Sequence, residues 1–360
     1  MAGGLPCGLE WSCSTDRPAR PAQQDLPTAK ETTMAIEHVL VTGASGKLGG
    51  PLCEALLAAG YRVTALRHRR AAGVDGVVEV PISLGDAEGI GRLVADADAV
   101  IHLATCKEDR EGVIEVSTRG TFNLLDAAVG SQRLERFLLA SGDAVNGIYF
   151  NPQPVPIRED LPMAAYPGYY PLSKVLEETM ARQFYVQRSV PTVTLRMSWI
   201  HAEDDILNHL TVAGESFGIP VWSELMDDSQ RAAAAAGRDA AVALRHPDGK
   251  PMRRHIVAVE DCVQAFLLAL ETPGIEGETF QIAMEEPFDY VETAAYVAGR
   301  LGIDTVELVD PVGHDFCIDI TKARYVLGYR PQVDIRGLVD RAIEFRRSGR
   351  PRRPRSGYQG

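Results

Sequence analysis

Leu40-Val41-Thr42-Gly43-Ala44-Ser45-Gly46-Lys47-Leu48-Gly49 is an apolar run that passes into three glycines spaced three residues apart. His38 to Val41 form a short β-capable segment, and Leu48, Leu52, Leu56 and Leu57 then recur at helical spacing. The stretch therefore predicts a strand, a tight turn and an amphipathic helix. Gly43 would permit the turn, Gly46 would let the backbone approach a pyrophosphate, and Gly49 would let the helix pack closely on the strand. The helix N-terminus then offers its N–H groups to an anion. The spacing is G-x-x-G-x-x-G rather than G-x-G-x-x-G, and a purely structural turn also uses glycine. Taken alone, the turn leaves both readings open.

Beyond the turn, Arg62 to Leu66 and Val77 to Pro81 read as strands, and Asp86 to Ala95 as a helix capped by its aspartate. Ala99 to Leu103 is an apolar run of the kind expected for a strand buried on both faces. A long helix is expected from Glu111 to Ala128, with Phe122, Leu125 and Val129 facing inward. Arg136 to Ala140 is then a strand ending at Ser141-Gly142-Asp143. The alternation β-α-β-α-β predicts a parallel sheet, whose ligands gather at the carboxyl ends of the strands. Thr105-Cys106 and Ser141-Gly142-Asp143 both stand at such ends.

A Pro-rich loop, Asn151 to Pro167, leads to a helix from Tyr169 to Gln187 and a strand from Pro191 to Met197. Residues 201–254 lose the regular alternation and read as a substrate-facing cap. His255 to Val259 and Glu278 to Ala283 return to strand, with Glu260-Asp261 capping the helix between them. The remainder reads as mainly helical, from Val291 to Leu301 and from Ile320 to Leu327.

A chain of 360 residues with 45% hydrophobic composition can bury a real core. The net charge of -12 argues against nucleic acid as a partner. No apolar run approaches the roughly 18 residues of a membrane span. Six scattered cysteines without a C-x-x-C pair suggest a reducing, cytoplasmic setting, with Cys53 and Cys262 as core thiols. Residues 1–33 read as a disordered leader, with Met34 as an alternative start, and residues 346–360 as a disordered basic tail.

Tyr170 and Lys174 stand four apart at the start of a helix, so both face one ligand. A phenol serves as an acid or base near neutral pH only where a cation favours its phenolate, and Lys174 supplies one. A surface pair is the bland alternative. His201, Glu203, Asp204, Asp205 and His209 are metal-capable types, but their spacing reads as an acidic loop, and no metal is expected. His102 reads as a packed histidine. Arg196 either points into the cleft or pairs with a core carboxylate.

Together these residues resemble the extended short-chain dehydrogenase/reductase superfamily, in particular its NAD(P)-dependent epimerase/dehydratase members, over about residues 36–345. Thr42-Gly43-x-x-Gly46-x-x-Gly49 matches the glycine motif, and Ile101-His102-Leu103-Ala104 matches the fourth-strand motif. Tyr170-x-x-x-Lys174 matches the catalytic pair, Val259-Glu260-Asp261 a later strand-to-helix motif, and Leu327-Gly328-Tyr329-Arg330-Pro331 the closing segment. The resemblance implies an α/β fold: a Rossmann-type doubly wound parallel sheet with a smaller C-terminal α/β substrate-binding part. Residues 34–200 would form the dinucleotide-binding core. Residues 201–345 would form the substrate part, interleaved with the last core strands.

By the same resemblance, Tyr170 would be the acid/base, and Lys174 would lower its pKa and hold the nicotinamide ribose. Gly43, Ser45, Gly46, Lys47, Leu48 and Gly49 would cradle the cofactor, with Leu103 and Ala104 beside it. Asp143 and Arg254 would meet the substrate. The family's usual Ser or Thr is replaced by Gly142, so Ser141 is the remaining candidate for the catalytic hydroxyl. Asn146 replaces the family's Tyr, Ser117 its Asn and Ser83 its Asp, and Ile200-His201-Ala202-Glu203 stands where Tyr-Gly-Pro is usual. The helices at 111–128 and 169–187 would form a homodimer contact.

The second strand ends in Leu66-Arg67-His68-Arg69-Arg70, with no carboxylate for a ribose 2′-hydroxyl. Guanidinium groups there suit a 2′-phosphate, which favours NADP over NAD through Arg67. The expected activity is hydride transfer to or from a sugar-like or other alcohol or carbonyl. A nucleotide-sugar epimerase or dehydratase is the alternative, and a non-catalytic NADP-binding regulator the second.

Overall fold

The computed structural model describes residues 36–214 and 220–353, and the expected leader, Met34, Cys7, Cys13 and residues 354–360 lie outside them. From Ile36 onward the chain forms one compact unit. It opens with β1 (His38–Thr42), α1 (Gly49–Ala58), β2 (Arg62–Arg67), β3 (Val78–Pro81), α2 (Ala87–Ala95) and β4 (Ala99–His102). The short α3 (Arg110–Gly112), a π-helical turn over Val113–Arg119 and α4 (Gly120–Val129) lead to β5 (Arg136–Gly142). Next come α5 (Tyr169–Arg188), β6 (Thr192–Met197), β7 (Trp199–His201), α6 (Asp205–Leu210), α7 (Trp222–Leu225), α8 (Asp228–Ala235) and β8 (Ala240–Arg245). The chain closes with β9 (Arg253–Arg254), β10 (Ile256–Ala258), α9 (Val259–Glu271), β11 (Thr279–Ile282), β12 (Phe288–Asp289), α10 (Tyr290–Leu301), β13 (Asp304–Val309) and α11 (Ile335–Ser348).

Seven strands form one sheet in the order β11-β6-β5-β4-β1-β2-β3, and every pairing in it is parallel. The order reverses between β1 and β4, where Thr42 lies opposite His102. That switch point opens a crevice beyond the strand ends. All residues of β1, β4 and β5 are buried, as covering helices on both faces require. Leu52, Cys53 and Leu56 seat α1 on the sheet, each leucine contributing about 1.5–3 kcal/mol by burial. Asp86 caps α2 as expected, accepting from the Gly89 N–H. No helix among the described residues is long and apolar enough to cross a membrane.

Several expectations are corrected. The helix expected over 111–128 is present from Arg110 to Val129, but its middle is π-helical and its inward face differs from the expected one. The wider turn at Val113–Arg119 shifts its phase, and the buried stripe becomes Thr121, Leu124, Leu125 and Ala128. Phe122 and Val129 lie off that stripe, 46% and 36% exposed. Helix α9 is not capped by Glu260-Asp261: Ala258 holds the cap position, and the Asp261 carboxylate accepts from the Gln332 and Val333 N–H groups.

Residues 201–254 contain β8, which pairs in parallel with β13, a strand absent from the mainly helical reading of the remainder. The tail is ordered as far as it is described. Arg346 ends α11 on Asp204 and Asn208, Arg352 reaches Asp204, and Arg353 pairs with Glu54. Asp204 is 1% exposed, and a buried carboxylate needs such cationic partners.

Candidate active site

The glycine turn occupies the switch point, and its geometry explains two of its glycines. Gly43 has φ +73°, and a Cβ there would lie 2.7 Å from the Ala104 nitrogen and 2.8 Å from the Leu103 carbonyl carbon. A Cβ on Gly49 would lie 2.3 Å from the Gly43 oxygen and 2.6 Å from Ala44 Cα. Only glycine lets the ends of β1 and β4 approach this closely while α1 closes on the turn. No side chain caps α1 and no acidic residue stands in its first turn, so the positive end of its dipole suits an anion. This cradle fits a dinucleotide's pyrophosphate. Lys47 lines the same cavity, but its ammonium pairs with Asp205 at 2.5 Å and donates to the Ile200 carbonyl at 3.0 Å. It thereby ties the turn to β7 and the start of α6.

Tyr170 and Lys174 face this cleft from the first turns of α5. Gly168 precedes the helix at φ +150°, where a Cβ would stand 2.9 Å from Glu108 Oε1. Glu108 accepts from the Tyr169 N–H at 2.8 Å and, more weakly, from the Tyr170 N–H at 3.4 Å. The loop after β4 is thus stapled to the start of α5. Lys174 donates to the Ala140 carbonyl at 3.0 Å and to Glu177 at 2.7 Å. Burial raises the Glu177 carboxyl against the opposing pull of Lys174.

A Cβ on Gly142 would lie 3.5 Å from the Tyr170 hydroxyl in ordinary contact. Position 142 therefore faces the phenol but carries no hydroxyl. The Ser141 hydroxyl donates to Glu178 at 2.5 Å, and Arg196 holds that carboxylate through contacts of 2.7–3.0 Å. Ser141 lines the same cavity as Tyr170 and Lys174, with its hydroxyl held by Glu178 in a buried network. Arg196 takes the core-carboxylate alternative.

Asp143 and Arg254 line the same cleft. Burial pushes the Asp143 carboxyl up to about 6, although Arg254, Ser198, the Trp199 N–H and Lys107 pull the other way. The Arg254 guanidinium is 4.4 Å from the Trp199 ring, 5.3 Å from Tyr149 and 5.9 Å from Phe316. Stacking of this kind orients a guanidinium as well as attracting it. Tyr149 is held at φ +71° with its hydroxyl donating to Asp310. Such a conformation in a bulky residue costs energy and is found mainly where the surroundings impose it.

The glycine turn, Leu103, Asp143, Tyr170, Lys174 and Arg254 thus line one cavity of about 250 Å³. Ser45, Ala104 and Arg67 lie outside its lining. Ala104 donates its N–H to the Thr42 hydroxyl, and Arg67 Nε is 3.7 Å from Glu79 at the far end of the crevice. His102 is clamped between the Thr42 and Thr121 hydroxyls at 2.7 and 2.8 Å. Burial, with help from the Lys174 ammonium, pushes it down to about 3, so it stays neutral. What reads as an acidic loop is the end of β7 and helix α6, whose residues are buried, and in α6 His209 bonds the Tyr290 hydroxyl at 2.6 Å. Among the described residues no group of three His, Cys, Asp or Glu side chains could hold a metal ion.

Sequence reading missed Lys107 and Glu177. Glu177 was detectable, because it stands three residues after Lys174 on the same helix face. Lys107 follows the strand end at Thr105-Cys106, but nothing in the sequence indicated where its loop would fold.

Residues 39–283 match the model of the NAD dependent epimerase/dehydratase family. The L-arabinose 1-dehydrogenase (NAD(P)(+)) of Haloferax volcanii is 27% identical over 181 residues, 47% of this chain and 69% of that protein. The UDP-glucose 4-epimerase of Mycolicibacterium smegmatis is 26% identical over 332 residues, 86% of this chain and 99% of that protein. A solved short-chain dehydrogenase/reductase superfamily protein from Agrobacterium tumefaciens with bound NAD superposes with a TM-score of 0.74 at 25% identity, covering 87% of this chain and 98% of that one.

Proposed function

The chain belongs to the NAD-dependent epimerase/dehydratase family, and from that premise we propose that it oxidises an alcohol or reduces a carbonyl on a small sugar-like substrate, with Tyr170 as acid/base. It is an NAD(P)-dependent enzyme of the extended short-chain dehydrogenase/reductase type, which sets aside the binding-only alternative. The observation that carries the reading is the convergence in one cavity of an anion cradle at Gly43 and Gly49, Tyr170 with Lys174, and Asp143 with Arg254. Bound NAD(P) supplies the hydride acceptor or donor. In the oxidative direction, the Tyr170 oxygen takes the substrate's hydroxyl proton, and in reduction it returns one. Lys174 holds the ribose beside it. Asp143 orients substrate hydroxyls as an acceptor, and Arg254 offers its guanidinium to an anionic group such as a carboxylate.

Relatives divide between net dehydrogenation and epimerisation. Ile200-His201-Ala202-Glu203 in place of Tyr-Gly-Pro favours the former, as does the aromatic wall of Trp199 and Tyr149 around Arg254. Reduced cofactor released into solution with free sugars, and its absence with nucleotide sugars, is the expected result. Net isomerisation of a nucleotide sugar without released cofactor would instead favour the epimerase alternative.

NADP is the proposed cofactor, because Arg67 ends β2 where a carboxylate would select NAD. Arg67→Asp should reduce the preference for NADP over NAD by about 10–100-fold, the worth of one charge-assisted hydrogen bond. An unchanged ratio of kcat/KM values would overturn this choice. A homodimer through the α4 and α5 faces, where Phe122, Leu172 and Val186 are exposed, belongs to the same proposal. Its mass in solution checks it. The free thiols of Cys53, Cys106, Cys262 and Cys317 support a reducing, cytoplasmic setting.

A further inference from the structure

We propose that Lys107 is a positioning residue for Tyr170: its ammonium, held over the face of the phenol ring, favours the phenolate, while Glu177 offsets the charge of Lys174. This rests on the reading of Tyr170 as acid/base and adds to it the cation that tunes it.

The geometry distinguishes the two lysines. Lys107 Nζ lies 4.1 Å from the centroid of the Tyr170 ring, whereas Lys174 Nζ lies 5.9 Å away. Lys174 is also paired at 2.7 Å with Glu177, the two side chains being 4% and 0% exposed. The Glu177 carboxylate therefore offsets part of the Lys174 charge felt by the phenol. The placement of Lys107 is not accidental, since its neighbour Glu108 caps α5 through the Tyr169 and Tyr170 N–H groups.

Six charged groups surround the phenol. Lys174 and Glu177 come from its own helix, Lys107 and Glu108 from the loop after β4, Asp143 from the end of β5 and Arg254 from β9. Glu108 is engaged by the helix start, and Asp143 feels the charges of both Arg254 and Lys107. Burial and the Lys174 ammonium push Lys107 down to about 8 while the Asp143 and Glu108 carboxylates pull it back up, so it remains a cation at neutral pH. A cation over an aromatic face gains further when the ring carries the phenolate charge.

The test is a tyrosinate absorbance titration of the full chain, with the Tyr170→Phe signal subtracted to isolate Tyr170. Lys107→Met keeps the apolar stem and removes the charge. It should raise the Tyr170 midpoint by about one pH unit or more. The rising limb of the oxidation rate should move to higher pH with it, because the base form is reached later. Lys107→Arg should restore the midpoint to the wild-type value or below, since arginine keeps its charge where lysine loses its own. Glu177→Gln should lower it. A midpoint unmoved in Lys107→Met would overturn the inference and leave Lys107 as packing alone. Full turnover in Tyr170→Phe would instead overturn the acid/base reading, so the two failures are distinguishable.

Discussion

Tyr170→Phe is expected to lose about 10²–10⁴-fold in turnover, the usual worth of a positioned acid/base, while its affinity for NAD(P) changes by less than about twofold. The loss falls on kcat because the phenol oxygen acts on the transferring proton and the ring contributes packing that Phe preserves. A Cβ on Gly142 would touch that oxygen at 3.5 Å, and Ser141 is engaged by Glu178. Cofactor affinity by calorimetry and turnover by absorbance separate the two effects. Equal losses in both would mean that the phenol holds the cofactor rather than the proton.

Gly49→Ala should weaken cofactor binding by about 100-fold and destabilise the fold by about 1–3 kcal/mol, the cost of overpacking a filled site. The added carbon would stand 2.3 Å from the Gly43 oxygen and 2.6 Å from Ala44 Cα. Both are backbone atoms of the turn, so neither can rotate away. Either α1 moves off the strand or the turn opens, and both displace the N–H groups that face the pyrophosphate. Gly91→Ala in α2 is the control, since nothing lies within 4 Å of its Cβ position. That change should be neutral or stabilise by about 0.5–1 kcal/mol through helix propensity. Denaturant unfolding and cofactor titration of the two variants check the contrast.

The parts of the fold that were legible in the sequence were those set by local period and spacing. The strand-turn-helix at Gly43, the buried run at Ala99 to His102 and the four-residue step from Tyr170 to Lys174 each follow from one segment. What was not legible depended on two segments meeting. The π-helical segment at Val113–Arg119 shifts the phase of a helix whose apolar spacing looked regular, and so moved Phe122 and Val129 off the inward face. The hydrogen bond from the Ser141 hydroxyl to Glu178, 37 residues later, had no signal in the sequence. The arginines after Arg346 looked like a solvated tail because their partners Asp204 and Glu54 are 142 and 299 residues away in the chain. β13 carried a faint signal, for Leu308 alternates inward between exposed neighbours, but its partner β8 lay in a region with no readable period. Lys107 reaches Tyr170 only because Glu108 caps the helix that carries it.

Hydride transfer with Tyr170 as proton acceptor is tested most directly by following free reduced cofactor against product during oxidation of free sugars, with Tyr170→Phe run in parallel. The account predicts one reduced cofactor released per product molecule, and near loss of both in the variant. Product formed with no net change in free cofactor, or turnover undiminished in Tyr170→Phe, would contradict it.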